Sequence, residues 1–169
     1  MKFSKVRLGD VANITMGQSP KSDFFNHSGN GIEFLQGVRT FGDLVPQFDT
    51  FTTEFNREAE EGDILFSVRA PVGNVNWADR KIAIGRGLAA VHSKKVDQTF
   101  LFYTLKSIGG VVDSQSNGTV FTSINKKEMA SLEITIPDDR LIQEKIGNTL
   151  QSLDRKIAKN KKINDNLVA

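Results

Sequence analysis

At 169 residues the chain can bury one well-cored domain with an appendage, but not two independent cores. Its 38% hydrophobic and 25% charged content is ordinary for a globular protein, and the lack of cysteine excludes disulfide frameworks and thiolate metal sites. The net charge of +2 is unevenly spread, with 15 Lys and Arg against 17 Asp and Glu in residues 1–139 and 7 against 3 in residues 140–169. Glu54, Glu58, Glu60, Glu61 and Asp63 gather much of the acidity of the first part, which permits a local basic face elsewhere without demanding nucleic acid. Apolar runs such as Leu88–Val91 are far too short to span a membrane, and the basic start Met1–Lys5 lacks the apolar stretch of a secretory signal. The cytoplasm is the expected compartment.

In chain order, Gly9–Ile14 predicts a short helix, and Asn26–Gly31 a loop by composition. Strands are predicted at Ile32–Val38, Asp63–Val68, Val72–Trp77, Lys81–Ile84, Leu88–His92 and Leu132–Ile136, most rich in branched or aromatic residues and bounded by turn formers. Ala70-Pro71 and Gly85-Arg86-Gly87 read as tight connections between neighbouring strands. Gln98–Ile108 places Leu101, Phe102 and Leu105 on one helical face and should stop at Gly109-Gly110. Asn125–Ser131 comes after a Thr122-Ser123 cap signal. This irregular alternation predicts an α+β fold, a mixed α/β domain with short strands followed by a long carboxy-terminal coiled-coil helix, and not a doubly wound parallel sheet.

Beyond Pro137 the pattern changes. Asp138 and Asp139 suit a helix amino end, and from there to Ala169 there is no proline and one glycine, Gly147. Ile146, Leu150, Leu153 and Ile157 alternate spacings of four and three, and Asn160, Asn164 and Leu167 continue a heptad seam with two polar positions. A helix of roughly 30 residues is about 45 Å long, too long to lie back over so small a domain for its whole length. It should need a partner, and it divides the chain into a domain of residues 1–137 and a dimerisation helix of residues 138–169.

Several motifs mislead. Gly85-Arg86-Gly87-Leu88-Ala89-Ala90 fits G-x-G-x-x-A, but a dinucleotide fingerprint opens a helix and has an acid about 20 positions on, where this chain has Leu, Lys, Ser and Ile. Pro137-Asp138 with Gln143-Glu144-Lys145 imitates a nuclease motif, yet both halves fall at one helix start, where capping explains the aspartate. His27-Ser28 and His92-Ser93 are adjacent in sequence only, with no orienting third group. There is no phosphate loop of the G-x-x-x-x-G-K-[ST] type and no Asn-Pro-Pro-aromatic methylation signature. The expectation is a chain without catalytic residues, metal or cofactor.

The DNA-reading inventory is fuller. Arg39 (with Thr40 beside it), Arg69 and Arg86 each sit at a predicted strand end or turn near Gly or Pro, where a rigid guanidinium fork can face guanine or phosphate. Gln18, Ser19 and Lys21 come after Gly17 in a polar loop, Asn117 and Thr119 lie in a second, and Lys126 and Lys127 begin a short helix. Such positions suit backbone phosphate.

Taken in order, these segments resemble the specificity subunits of type I restriction–modification systems. Val6–Ile14 leading to Gly17 is similar to that family's domain entry, Gly62–Gly73 to its central strand pair, and Ile84–Val91 to the segment next in order. Asn117–Ile124, Ile134–Pro137, Gln143–Ile146 and Leu150–Ile157 resemble its exit into the spacer helix. Members usually carry two recognition domains, each with a helix after it, where this sequence has one of each, and the usual Glu-Gln pair stands here as Gln143-Glu144. The resemblance implies a non-catalytic subunit that binds double-stranded DNA and directs methyltransferase subunits, and through them restriction subunits, to a bipartite site. A single half would self-associate through its helix as a homodimer and read an interrupted palindrome. Two other classes stay open at this point: an adaptor whose helix docks a protein partner without touching DNA, and a small stand-alone nuclease.

Overall fold

The computed structural model describes residues 2–114 and 123–168. In chain order the elements are β1 (Phe3–Arg7), α1 (Leu8–Val11), β2 (Ala12–Met16), β3 (Phe25–Asn26), β4 (Ile32–Leu35), β5 (Phe51–Thr52), β6 (Glu58–Ala59), β7 (Ile64–Ser67), β8 (Val75–Trp77), β9 (Ile82–Ile84) and β10 (Leu88–Ser93). After them come α2 (Gln98–Ser114), α3 (Lys126–Ser131), β11 (Glu133–Pro137) and α4 (Arg140–Val168). The fold is mixed α+β with a long terminal helix, as the sequence predicts.

Three layers account for the apolar pattern. A four-stranded sheet, in the order β2-β10-β7-β8, lies between α2 and a five-stranded sheet ordered β3-β5-β4-β9-β6. Alternate residues of its strands therefore enter different cores: Ile64, Phe66, Ala89 and Val91 join Leu101, Phe102 and Leu105 of α2. Leu65, Leu88 and Ala90 join Leu35, Ala59, Ile82 and Ile84 on the other side. Burial on both faces is why β7 and β10 read as unbroken apolar runs, without the alternation of a half-exposed sheet. Trp77 stacks on Phe102 at 4.3 Å between ring centres, closing the α2 side of β8.

Local expectations fail where packing overrides them. The predicted helix Gly9–Ile14 is only the short turn α1, and the chain then enters β2, because Ala12–Met16 can pair with β10 in register Ala12↔Ser93 to Met16↔Ala89. The strand predicted to run to Val38 stops at Leu35, and Val38–Thr40 forms a 3-10 turn. The strand predicted from Val72 starts at Val75. Before it, the Ser67 hydroxyl donates to Pro71 O and accepts from Asn74 N–H, holding a turn that contains the cis Ala70–Pro71 peptide. Helix α2 does not stop at Gly109-Gly110 but continues to Ser114. A Cβ at Gly109 would lie 2.0 Å from Gly73 O, so this glycine lets helix and turn touch and does not end the helix. Asn125, not Thr122-Ser123, caps α3: its side chain accepts from Lys127 N–H and Glu128 N–H, and Glu128 returns a bond to the Asn125 N–H. Ser123 instead bridges Arg69, and Thr122 falls outside the described residues.

The start of α4 is fixed from three sides. Asp139 accepts from Leu141 N–H at 2.9 Å, while Asp138 accepts from Ser4 on the paired strand β1. Gln143 is buried; it donates to Pro137 O and accepts from Asp97 N–H at the foot of α2. From there α4 runs parallel to α2, tied by Lys106–Asp154 at 2.8 Å and, further along, by Lys161–Asp43 at 2.8 Å. The helix was expected not to lie over so small a domain for its whole length, and its contact with the head does cover only part of it: one side follows the head from Gln143 to Lys161. A helix has more than one face, however. Leu150, Leu153, Ile157 and Leu167 of the predicted seam are 37%, 52%, 54% and 78% exposed, with Asn160 and Asn164 also exposed and Ile146 half-buried.

Candidate nucleic-acid interface

Strand directions gather the turns at one end of the central sheet. Ser67 at the end of β7 is paired with Leu88 at the start of β10, Met16 at the end of β2 with Ala89, and Leu35 at the end of β4 with Ile84 at the end of β9. The chain leaving each of these ends carries Gly17-Gln18-Ser19, Gln36-Gly37, Val68-Arg69 and Gly85-Arg86-Gly87. Four expected residues from three distant segments, Gln18, Ser19, Arg69 and Arg86, thereby share one face. Backbone bonds lock them together: Gly17 N–H to Leu88 O, Gln18 N–H to Ile84 O, Val68 N–H to Gly87 O and Ile124 N–H to Val68 O.

Glycine makes this convergence possible. A Cβ at Gly17 would stand 2.1 Å from Gly85 O, and one at Gly87 would stand 2.5 Å from Gln36 O. The Gly-x-Gly that mimics a nucleotide fingerprint is therefore a crossing point of backbones, and it opens strand β10, not a helix. A shallow open cleft lies on this face, lined by Met16, Gly17, Val68, Arg69, Arg86 and Ser123–Asn125.

Arg69 and Arg86 are both exposed. Among the described residues neither guanidinium has a carboxylate within ion-pair distance, whereas Arg39, Arg80 and Arg140 are each paired. Arg39 donates to Asp49 at 2.7 Å, and that bond, helped by the Thr50 hydroxyl, holds the Asp49 carboxyl below its ordinary value. Arg39 and Thr40 line a neighbouring hollow floored by the stacked rings of Phe25 and Phe34, which also reaches Gln36 and Gly37. Lys21 lies in another hollow with Phe24, Glu54 and Phe55. Lys126 and Lys127 are exposed on the first turn of α3, next to Asn125 in the cleft. Asn117 and Thr119 lie outside the described residues.

Most of the acidic stretch, from Glu58 to Asp63, is elsewhere, while Glu54 shares the Lys21 hollow. Asp63 precedes β7 and Arg69 lies beyond its end, so the two stand roughly 20 Å apart along the strand. There Asp63 takes up Glu60 N–H and His92 Nδ1, and Lys81 pairs with Glu58 at 2.8 Å, which raises the lysine's pKa. Ser93 is engaged in its own turn with Val96, so neither member of the His92-Ser93 pair addresses the other. Among the described residues no group of three or more His, Asp or Glu is placed to hold a metal, and no helix is long and apolar enough to cross a membrane.

Sequence reasoning did not place Gln36, Ser123 and Asn125 on this face, and it read Gln143 at the helix foot only as half of a reversed Glu-Gln pair. Gln36 was hidden by carrying the strand through to Val38. Its signal was a polar residue beside Gly37 at the end of an apolar run.

A three-layer α+β head with polar turns gathered at one end and a long helix alongside defines a class of protein, and comparison with known proteins supplies its family. The family model of the type I restriction modification DNA specificity domain matches residues 1–169, and the chain belongs to that family. It is 42% identical over 143 residues to a putative type I restriction enzyme MjaX specificity subunit of Methanocaldococcus jannaschii, covering 83% of this chain and 33% of that one. The HsdS subunit of Thermoanaerobacter tengcongensis superposes with a TM-score of 0.79 at 35% identity, over 95% of this chain and 39% of that one. A chain from a structure of type I R-M complex assembly and conformational transition superposes at 0.83, also at 35% identity, over 98% and 41%. The chain thus spans between a third and about two fifths of the length of these relatives.

Proposed function

We propose that residues 1–137 form a DNA target recognition domain and residues 138–169 a spacer and self-association helix, working as part of a type I restriction–modification specificity subunit in the cytoplasm. The chain itself does no chemistry. It binds double-stranded DNA and positions methyltransferase subunits, and through them restriction subunits, which carry the catalytic groups. The observation that carries this reading is the end of the central sheet where Arg69 and Arg86 stand exposed, without carboxylate partners among the described residues, beside Gln18 and Ser19. A guanidinium held on a short backbone crossing can reach guanine O6 and N7 or a phosphate, while the side chains and backbone N–H groups around it fix register.

The exposed apolar stripe on α4 supports self-association, because Leu153 and Ile157 face solvent on a helix whose other side is already engaged with α2. Pairing through that stripe gives two heads a fixed separation along one duplex.

Equilibrium binding to duplex DNA, measured across a salt series with methyltransferase subunits present, tests the reading. Affinity should fall steeply with salt as counterions are released. Arg69→Ala and Arg86→Ala should each weaken binding by about 1–3 kcal/mol. Wild-type affinity in both variants would overturn the assignment of this face.

A further inference from the structure

Beneath Arg86 runs a short polar relay whose last member is the side chain that strand prediction buried in a run. Arg86 N–H donates to Ser19 Oγ at 3.2 Å, and the Ser19 hydroxyl donates to Gln36 Oε1 at 2.8 Å. The Gln36 backbone is gripped on both sides, since Leu35 O accepts from Gly85 N–H and Gln36 O from Gly87 N–H, at 2.8 and 3.1 Å. A Cβ at Gly85 would lie 2.7 Å from Gln36 Oε1, so the carboxamide occupies room that only glycine leaves. Gln36 is nonetheless exposed, and among the described residues its Nε2 has no acceptor. A flexible side chain tethered at one atom and open at the next has already lost much of the rotamer freedom that binding would otherwise remove.

We propose that Gln36 is a specificity-determining residue that reads adenine in the major groove. This rests on the DNA reading above and adds the base and the atoms. Nε2–H donates to adenine N7, and Oε1 accepts from the N6 amino group, the bidentate pairing that a carboxamide makes with adenine alone. In the relay Arg86 N–H engages one lone pair of Ser19 Oγ, and the serine hydrogen points to Gln36 Oε1. One lone pair of Oε1 is then engaged and the second remains for the base, with Nε2 directed outward. Guanine presents an acceptor, O6, where Oε1 needs a donor. Pyrimidines have no N7.

The test begins with the full chain and methyltransferase subunits selecting duplexes from a random pool, repeated for Gln36→Ala, Gln36→Glu and Ser19→Ala. The wild type should enrich a site containing an adenine whose replacement by 7-deazaadenine weakens binding about tenfold. Gln36→Ala should be indifferent to that replacement. Gln36→Glu should shift the preference at that one position to cytosine, whose N4 amino group a carboxylate accepts, and leave the other positions as they were. Ser19→Ala should blunt the same position by less. Melting curves matching the wild type establish that these surface variants fold. Gln36 variants that select the wild-type site with undiminished discrimination, or that lose affinity evenly at every position, overturn this inference alone. A wild-type pool with no enriched sequence overturns the DNA reading and this inference with it.

Discussion

Arg39 and Arg86 carry the same group in different electrostatic settings. Asp49 neutralises Arg39 at 2.7 Å, with Thr50 donating to the same carboxylate oxygen, while Arg86 faces solvent on its glycine crossing. On the proposed DNA reading, Arg39→Ala should therefore cost less affinity than Arg86→Ala, a ranking that a single binding series checks. Asp49→Asn should free the Arg39 guanidinium and steepen the dependence of log affinity on log salt by about one. The acid carries a pH signature as well. Its folded pKa lies below the ordinary 3.8, chiefly through the Arg39 bond, so its contribution to stability is present above that value and is lost as pH falls through the lowered one. Asp49→Asn should remove that part of the acid-unfolding limb and leave neutral stability nearly unchanged, because exposed ion pairs contribute little. Acid titrations followed by circular dichroism, with and without the substitution, measure the difference.

Element by element, α4 presents two different faces. Gln143, Asp154 and Lys161 look toward the head and fix the helix to Asp97, Lys106 and Asp43, while Leu153 and Ile157 look away, at 52% and 54% exposure. Replacing Leu153 and Ile157 with Asp should convert a dimer to a monomer in sedimentation equilibrium without lowering the melting temperature. A mass unchanged by the substitutions, or a wild-type monomer at high concentration, contradicts self-association through this stripe. The heptad spacing made the stripe legible in the sequence, but the head-facing side was not, because it is held by polar groups (Gln143, Asp154 and Lys161) whose partners are distant in the chain. The strands β7 and β10 were legible because burial on both faces demands unbroken apolar runs. The end of α2 was misplaced because a glycine pair stops an isolated helix, and the contact of Gly109 with Gly73 is a tertiary fact. At the candidate site, Arg69 and Arg86 could be picked out as turn arginines. That their turns meet depends on the antiparallel register of β7 and β10 and on the parallel pairing of β4 with β9, which no local pattern encodes.

Across the whole molecule, the central sheet separates the charges that a simple count mixes. Acidic residues from Glu58 to Asp63 gather where β7 begins, and Arg69 and Arg86 lie where it ends, so a near-neutral head can offer one face to a polyanion and turn the other away. Substituting Glu58→Gln and Glu61→Gln together should thus leave base preference unchanged, which selection on the double variant checks. Whether the turn-bearing end of the sheet reads duplex sequence is decided by selection from a random duplex pool with the methyltransferase subunits present, comparing the wild type with Arg69→Ala/Arg86→Ala. The wild type should enrich an interrupted sequence that disappears from the double variant while its fold and its binding to the methyltransferase persist. A wild type that enriches nothing, or a double variant that enriches the same sequence, would contradict the DNA reading.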